Sequence, residues 1–575
     1  MFGTDLSRAV LECATLPEVL SHRAATESGP AFRFLVDGTR ASARDWTYQD
    51  LAGAVDAVAT DLVRRGLTGQ RVVLALEPGL AYLACLYGLL RAGAVAVPSF
   101  PPRGDRAKKR LESIVKDCRP AAIMLDRVSA EYPGMQAIRV DEEYLAPVWE
   151  VAEFARLNPS DLALLQYTSG STGHPRGVML THTNVVSNCR TLIDRMGVES
   201  DRVGCTWLPP YHDMGLLGTL LLSVYGGWPV IMLSPGHFVQ QPERWLRAIS
   251  EHGVTASVAP NFALDLCVER IPDDVFLNLG TLRQLYCGAE PVLASTIERF
   301  YHRFKAHGLA ETVILPSYGL AEATLFVSGK QRCGPPRIEN VDRGLLESGQ
   351  ARPARRDDAT AARVVSCGPP ARGHEVVVVD PKTCRPRPEG EVGEIWVSGP
   401  NVASGYFNAG NEGPNNFAAR LYRRGGWART YLRTGDLGFQ LDGELFVTGR
   451  IKDVIVVDGR NLYPHDVEES AIRAWPQLRV AVAFSVGELG ERERLVVVGE
   501  LRSRSSPPSE ALGAATLSIR TAVNHEHGVV PADVHIGPIG VIETTTSGKL
   551  CRTATRQAYL TQSLKPFYLS PGVTR

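Results

Sequence analysis

Five short runs, apolar at nearly every position, constrain this chain more than any other feature. They are RVVLAL (71–76), AVAVP (94–98), AAIMLD (121–126), VTASVAP (254–260) and TVILPS (312–317). A strand with one wet face alternates apolar and polar residues, whereas a run without alternation is buried on both faces. Segments with apolar residues three to four apart lie between these runs. One follows TYQD (47–50), which reads as a helix-starting cap and leads through Val63; another spans Leu80–Arg91. Doubly buried strands alternating with helices predict an α/β fold, with parallel or mixed sheets covered by helices. At 575 residues the chain is too long for one core, so two or more domains are expected.

Composition narrows the function classes. Lys+Arg and Asp+Glu both number 62, leaving no basic excess to argue for nucleic acid. The eleven cysteines are scattered, without a CxxC pair or metal-ligand spacing, which fits reduced thiols in a cytoplasmic protein. The opening MFGTDLSRAVLECATLPEVL lacks the basic-then-apolar order of a signal peptide. Met214–Pro242 is free of formal charge and long enough for a membrane span, but Gly226-Gly227-Trp228-Pro229 interrupts it. It reads as helix, turn and buried strand, so no membrane span is expected.

Between about 335 and 363 the pattern lapses into DRGLLESGQARPARRDDATAAR, polar and without apolar periodicity. VVSCG and HEVVVVD then resume strands. From Ile451 a second α/β pattern begins: VIVV, a helix after Pro464-His465-Asp466, VAVAFSV, RLVVVGEL, a helix near Glu510–His525, then VHIGPIGVIE. The expected organisation is a large N-terminal domain (1–448), a hinge at GRIKD (449–453) and a small mobile C-terminal α/β domain (454–575).

The segment LLQYTSGSTGHPRGVMLTHTNVV (164–186) packs two serines, two threonines and three glycines into Thr168–Gly177, between apolar flanks. Such a loop can bare backbone N–H groups and hydroxyls to a phosphate chain, or be a plain surface turn. No Walker-type GxxxxGK[ST] is present. Further pieces follow in order: WLPPYHDMGL (207–216), YCGAEPV (286–292), SYGLAEAT (317–324), YLRTGDLG (431–438), GRIKDVIVVDGRNLYPHDVE (449–468) and TTSGKLCR (545–552). Their order and spacing resemble the adenylate-forming superfamily of acyl-CoA synthetases, peptide-synthetase adenylation domains and luciferases, over nearly the whole chain. QYTSGST, WLPPYHDMGL, CGAEPV, VSCG and GRNLYPHDVE together are similar to its fatty acyl-AMP ligase branch.

The resemblance implies ATP and Mg²⁺ as cofactors and a site residue by residue. Thr168, Ser169, Gly170, Ser171, Thr172 and Gly173 would hold the β- and γ-phosphates, with Arg176 where the family usually has lysine. Gly288, Ala289, Glu290 and Pro291 would line the edge of the base. Ser317, Tyr318, Gly319 and Leu320 would meet the nucleotide, with the Tyr318 ring on adenine. Glu322 would be the acid associated with the metal; a hard cation bridging phosphates needs few protein oxygens. Asp436 would accept from the ribose hydroxyls, beside Arg450, and Lys452 would be the hinge pivot. His212, oriented by Asp213, would lie by the substrate carboxylate, and Lys549 would bridge that carboxylate and the α-phosphate.

The implied reaction is fatty acid plus ATP giving acyl-adenylate and pyrophosphate. The acyl group then passes to the phosphopantetheine thiol of a separate acyl carrier protein, in a polyketide or lipopeptide type of pathway. The segment at about 335–363 lies where those ligases carry an insert that hinders the rotation toward coenzyme A; a solvated variable loop is the alternative reading. A fatty acyl-CoA ligase and a non-catalytic acyl- or nucleotide-binding homologue remain open beside it. Glu322, Asp436, Arg450 and Lys549 together argue against the second of these.

Overall fold

In a computed structural model of the chain, residues 8–569 are described apart from 128–133, 169–174, 332–333, 356–357, 409–413, 422–428, 458–459, 488–492, 545–549 and 566. The chain forms two compact units. One comprises Met1–Pro336, Cys367–Val376 and Trp396–Thr434; the other Arg337–Ser366, Val377–Ile395 and Gly435–Arg575.

The first unit is built on two sheets. Its six-stranded sheet runs Gln136–Arg139, Ala122–Leu125, Arg71–Ala75, Val95–Pro98, Leu162–Thr168, Arg176–Thr181, parallel except for the last pair. The eight-stranded sheet has six parallel strands at its centre: Ile314–Gly319, Gln284–Cys287, Ala256–Ala259, Gly204–Thr206, Val230–Met232 and Pro30–Leu35. Antiparallel strands Phe326–Gly329 and Ala43–Thr47 close its two edges. All five apolar runs are strands of these sheets. The expected α/β class with mixed sheets is therefore borne out.

The helices form where the sequence pattern puts them. Thr47 and Asp50 make a reciprocal capping box for Tyr48–Arg64, whose apolar face packs on Leu80–Arg91. That packing is close: a Cβ at Gly88 would come within 2.4 Å of Val58. The charge-free stretch resolves into a short helix Asp213–Gly215, a π-helical turn Leu216–Leu220, the helix Leu221–Gly226, a left-handed Gly227 and the buried strand Val230–Met232. Among the described residues no helix is long and apolar enough to cross a membrane.

In the second unit, the sheet Leu478–Val486, Arg494–Leu501, Asp533–Gly537, Tyr568–Leu569 carries the helices Pro464–Ala474, Ser509–His527 and Arg552–Leu560. One core of Val467, Ala471, Leu495, Val497, Ile519 and Val534 sits between sheet and helices. A salt bridge ties this layer together: Arg552 Nη2 donates to Glu468 Oε2 at 2.6 Å, while Glu468 Oε1 accepts from the Ala483 backbone at 3.0 Å.

The described residues of the polar segment near 337–366 form regular elements, contrary to its loop-like composition. Ile338–Val341 and Ala362–Val365 pair antiparallel, with the short helix Arg343–Glu347 between them. Four apolar residues hold it: Val341, Leu346, Ala351 and Ala362 join Phe439, Phe446 and Tyr463 in one buried cluster. Charge does the rest. Glu347, only 2% exposed at its side chain, pairs with Arg460 and lies 3.3 Å from His527 Nδ1. Arg343 lies 3.4 Å from Asp466, and Arg337 donates to Asp442 at 2.7 Å. The segment therefore grips residues both before and after 449–453. Its sparse apolar residues are enough because ion pairs, which periodicity cannot reveal, complete the packing.

Candidate active site

Several of the predicted residues of the first unit lie at the C-terminal ends of parallel strands, where open α/β sheets bind ligands. Gln284–Cys287 leads into Gly288, Ala289, Glu290 and Pro291, and the neighbouring Ile314–Gly319 carries Ser317, Tyr318 and Gly319. Ser317 Oγ donates to the Cys287 carbonyl at 3.2 Å, joining the two turns. A Cβ at Gly288 would meet the Ser317 carbonyl at 2.7 Å, and one at Gly319 the Leu325 carbonyl at 1.9 Å. Neither position tolerates a side chain. Ala289 is left-handed (φ 68°), and Glu290 Oε1 accepts from the Phe262 N–H at 2.7 Å, fixing the turn to the start of the helix Asn261–Arg270. Tyr318 is buried.

Beyond Leu320, the 3₁₀ turn Ala321–Ala323 presents Glu322. Its backbone carbonyl accepts from Ala403 at 2.9 Å, and the next residue but one, Thr324, is left-handed (φ 61°) and donates through Oγ1 to Asn401 at 2.5 Å. The carboxylate is engaged by a residue that the motif reading missed: Tyr406 donates its hydroxyl to Glu322 Oε1 at 2.6 Å. Burial first, then the Glu322 charge, raise the Tyr406 phenol well above its ordinary pKa, so it stays a donor. Arg176 stands 5.4 Å from the Tyr406 ring centre, in cation–π range. Arginine at this position thus has a flat partner that a lysine ammonium would use less well. Tyr406 is held in turn by backbone bonds of Gly405 to Met179 and of Phe407 to Gly177.

His212 opens the short helix Asp213–Gly215, and its Nδ1 lies 2.7 Å from Asp213 Oδ1. The same Nδ1 accepts from the Met214 N–H at 3.4 Å, and Asp213 Oδ1 accepts from that N–H at 2.7 Å. Two further residues, to which the motifs assigned no role, fix the turn before His212. Gln166 Nε2 donates to the Tyr211 carbonyl at 2.9 Å and Tyr82 to the Pro210 carbonyl at 3.1 Å. Gln166 had one sequence signal, an amide within a mostly apolar strand; Tyr82, in a largely buried helix, had none. Thr168 ends its strand opposite Arg176, while Ser169, Gly170, Ser171, Thr172, Gly173 and Lys549 lie outside the described residues.

In the second unit, Asp436 and Arg450 face each other across the pair Thr430–Leu441 and Glu444–Arg450. Arg450 Nε donates to Asp436 Oδ1 at 3.1 Å; the carboxylate is buried and the guanidinium two-thirds exposed. Gly435, inside the first of these strands, is left-handed at φ 72°, and its N–H donates to Glu394 at 3.2 Å. Lys452 is exposed, two residues past Arg450.

The model of the AMP-binding enzyme family matches residues 22–407. The chain belongs to that family. On the full length it is 37% identical to the medium-chain-fatty-acid–[acyl-carrier-protein] ligase JamA of Moorena producens, over 98% of each chain. It is 36% identical to the long-chain-fatty-acid–AMP ligase FadD32 of Mycolicibacterium smegmatis, over 93% of this chain and 92% of the relative. The fatty acyl-adenylate ligase of L. pneumophila, solved with acyl adenylate and pyrophosphate, superposes with a TM-score of 0.75 at 32% identity, over 98% of each chain. These matches put the chain on the fatty acyl-AMP ligase branch of the adenylate-forming enzymes, as the motifs implied. ATP is accordingly its nucleotide substrate.

Proposed function

We propose that the protein activates a fatty acid with ATP and delivers the acyl group to the phosphopantetheine thiol of a separate acyl carrier protein. The observation that carries this reading is the Glu322 turn: an acid anchored by Tyr406, following glycines that admit no Cβ, in a chain alike from end to end to a fatty acid–[acyl-carrier-protein] ligase. In the first step a carboxylate oxygen of the fatty acid bonds to the α-phosphorus as the bond to pyrophosphate breaks. In the second, the thiol sulfur bonds to the acyl carbon, AMP leaves, and the thiol proton goes to solvent or base.

The residues divide the work. Thr168, Ser169, Gly170, Ser171, Thr172 and Gly173 bind the leaving phosphates. Gly288, Ala289, Glu290, Pro291, Ser317, Tyr318, Gly319 and Leu320 receive the base, and Asp436 with Arg450 the ribose. His212 and Lys549 hold the two anions together, offsetting a repulsion that would otherwise keep them apart. Among the described residues no three His, Cys, Asp or Glu side chains form a metal cage, so a cation has to draw most of its oxygens from phosphate and water. Mg²⁺ fits that donor set with Glu322, and when bound it supplies neutralisation of the phosphates. The ten described cysteines are free thiols, which supports a cytoplasmic setting.

Acceptor choice rests on the segment 337–366. We place the hinge at 449–453 with Lys452 as pivot, between a domain of 1–448 and one of 454–575. Val341, Leu346 and Arg337 hold Phe439, Phe446 and Asp442 on one side of that hinge, while Glu347 and Arg343 hold Arg460, His527 and Asp466 on the other. A turn about Lys452 that reshapes the site for coenzyme A has to break the second set. The test is to supply fatty acids of several lengths with ATP and Mg²⁺, follow pyrophosphate release, then offer coenzyme A or holo-carrier protein. Acyl-carrier without acyl-CoA is expected. Robust acyl-CoA formation would make the protein a CoA ligase, and absence of adenylate would make it a binding homologue.

A further inference from the structure

The helix Gly104–Cys118 carries charge that its fold does not need. Only Leu111, Ile114 and Cys118 of it are buried, and they suffice to seat it on the six-stranded sheet. Its start is different. Arg103, Arg106, Lys108, Lys109 and Arg110 crowd into eight residues with one acid, Asp105, in a chain whose charges otherwise balance at 62 and 62. A helix N-terminus already bears partial positive charge, so cations there are placed against the helix dipole. Arg103 is partly satisfied by Glu77 at 2.6 Å, and Arg110 lies 5.1 Å from the Phe100 ring. Lys108 and Lys109 are exposed and form no ion pair among the described residues, although Asp105 and Glu112 stand within helical reach in sequence.

The position of this turn gives the charge a meaning. A helix that follows a parallel strand begins at the strand's C-terminal end, here that of Val95–Pro98, beside the end of Leu162–Thr168. Phe100 packs edge-on against Tyr211 with ring centres 5.8 Å apart, and Tyr211 precedes His212. The basic turn therefore stands on the rim of the candidate active site.

We propose that the first turns of the helix Gly104–Cys118, through Lys108 and Lys109, are the docking surface for an acidic face of the carrier protein. This rests on the carrier-acceptor reading above. A carrier must be held close enough for its flexible arm to enter the site, yet released after each transfer, which suits exposed rim charges that act on encounter. Exposed charges on a helix flank suit a macromolecular face better than a lone phosphate, which needs converging donors. A membrane surface is the less suitable occupant. Interfacial binding needs large apolar side chains beside the basic ones, and among the described residues between Val36 and Trp149 none is exposed.

The test uses the full-length enzyme and Lys108→Glu/Lys109→Glu. Both side chains are exposed and form no ion pair among the described residues, so the variant should fold with only a small change in melting temperature. Acyl-AMP formation without carrier, and transfer to free pantetheine, should stay within about twofold of wild type. The KM for an acidic, phosphopantetheinylated acyl carrier protein should rise about tenfold or more at low salt, with the difference shrinking in about 0.5 M NaCl. An unchanged carrier KM overturns the proposal, as does an equal loss of transfer to pantetheine, which would assign the lysines to the thiol arm. Sedimentation of wild type, but not the variant, with phosphatidylglycerol vesicles and an unchanged carrier KM would give the patch to a membrane. If wild type forms acyl-AMP but loads no holo-carrier, the acceptor reading fails and docking falls with it. Loading that ignores both lysines removes docking alone.

Discussion

Glu347→Gln keeps the volume of a buried side chain and removes its charge, which isolates the ionic part of the segment's grip. In the folded protein that carboxylate faces Arg460, a third exposed, and His527, 1% exposed at its side chain. Breaking a fully buried pair costs about 3–5 kcal/mol, because the partner is left charged and dry. Two features reduce this here. Water reaches Arg460, and His527 keeps a 3.0 Å contact with Ser470 through Nε2. About 2 kcal/mol is the reasonable share. If these contacts are lost when the C-terminal part turns about Lys452, the variant favours the turned state by that amount, and acyl-CoA formation rises about 30-fold. Adenylation should change little, since no residue assigned to ATP is touched. The assay follows acyl-AMP, acyl-CoA and acyl-carrier by mass spectrometry in one reaction series, with melting temperature measured alongside. A variant that melts earlier, adenylates normally and still makes no acyl-CoA would refute the reasoning. Arg460→Met tests the same pair from the other side.

Lys549→Ala should cut adenylate formation at least about a hundredfold, about 2.7 kcal/mol of transition-state stabilisation, while ATP binding measured by calorimetry suffers less. Glu322→Gln should raise the Mg²⁺ concentration for half activity, and activity that survives full chelation would remove the metal role. Tyr406→Phe deletes the hydroxyl donated to Glu322 and should lower adenylation about tenfold, a charge-assisted hydrogen bond being worth about 1.5–3 kcal/mol; an unaltered Mg²⁺ profile would show that Tyr406 does not position that carboxylate. Burial holds the His182 imidazole below its ordinary pKa of 6.5. The fold therefore has this group's full stability above pH 6.5 and loses it as pH falls through the lower folded value. Melts from pH 7.5 to 5.5 should show a steeper decline for wild type than for His182→Gln.

Much of this molecule was legible before folding was considered. Runs such as RVVLAL and AAIMLD lack alternation because both sheet faces are covered, and that periodicity alone dictated doubly buried parallel strands. The capping box at Thr47 and Asp50, and the break at Gly226–Pro229, were local chemistry that tertiary packing left in place. The site residues are proposed from resemblance of motifs, and two of the segments concerned are joined by the bond from Ser317 to the Cys287 carbonyl. Tyr406 was out of reach: 84 residues separate it from Glu322, and tertiary pairing of its segment with Arg176–Thr181 and with the Glu322 turn brings the hydroxyl to the carboxylate. The same holds for Gln166, whose partner is a backbone carbonyl 45 residues away. The sharpest case is 337–366, whose composition reads as loop. Glu347 meets Arg460 and His527 across 113 and 180 residues, and such pairings carry no periodic signal. Local sequence determined which elements exist and which motifs end them; three-dimensional packing alone decided which distant charges share one low-dielectric place, because only there does an ion pair gain enough to hold a polar segment in order.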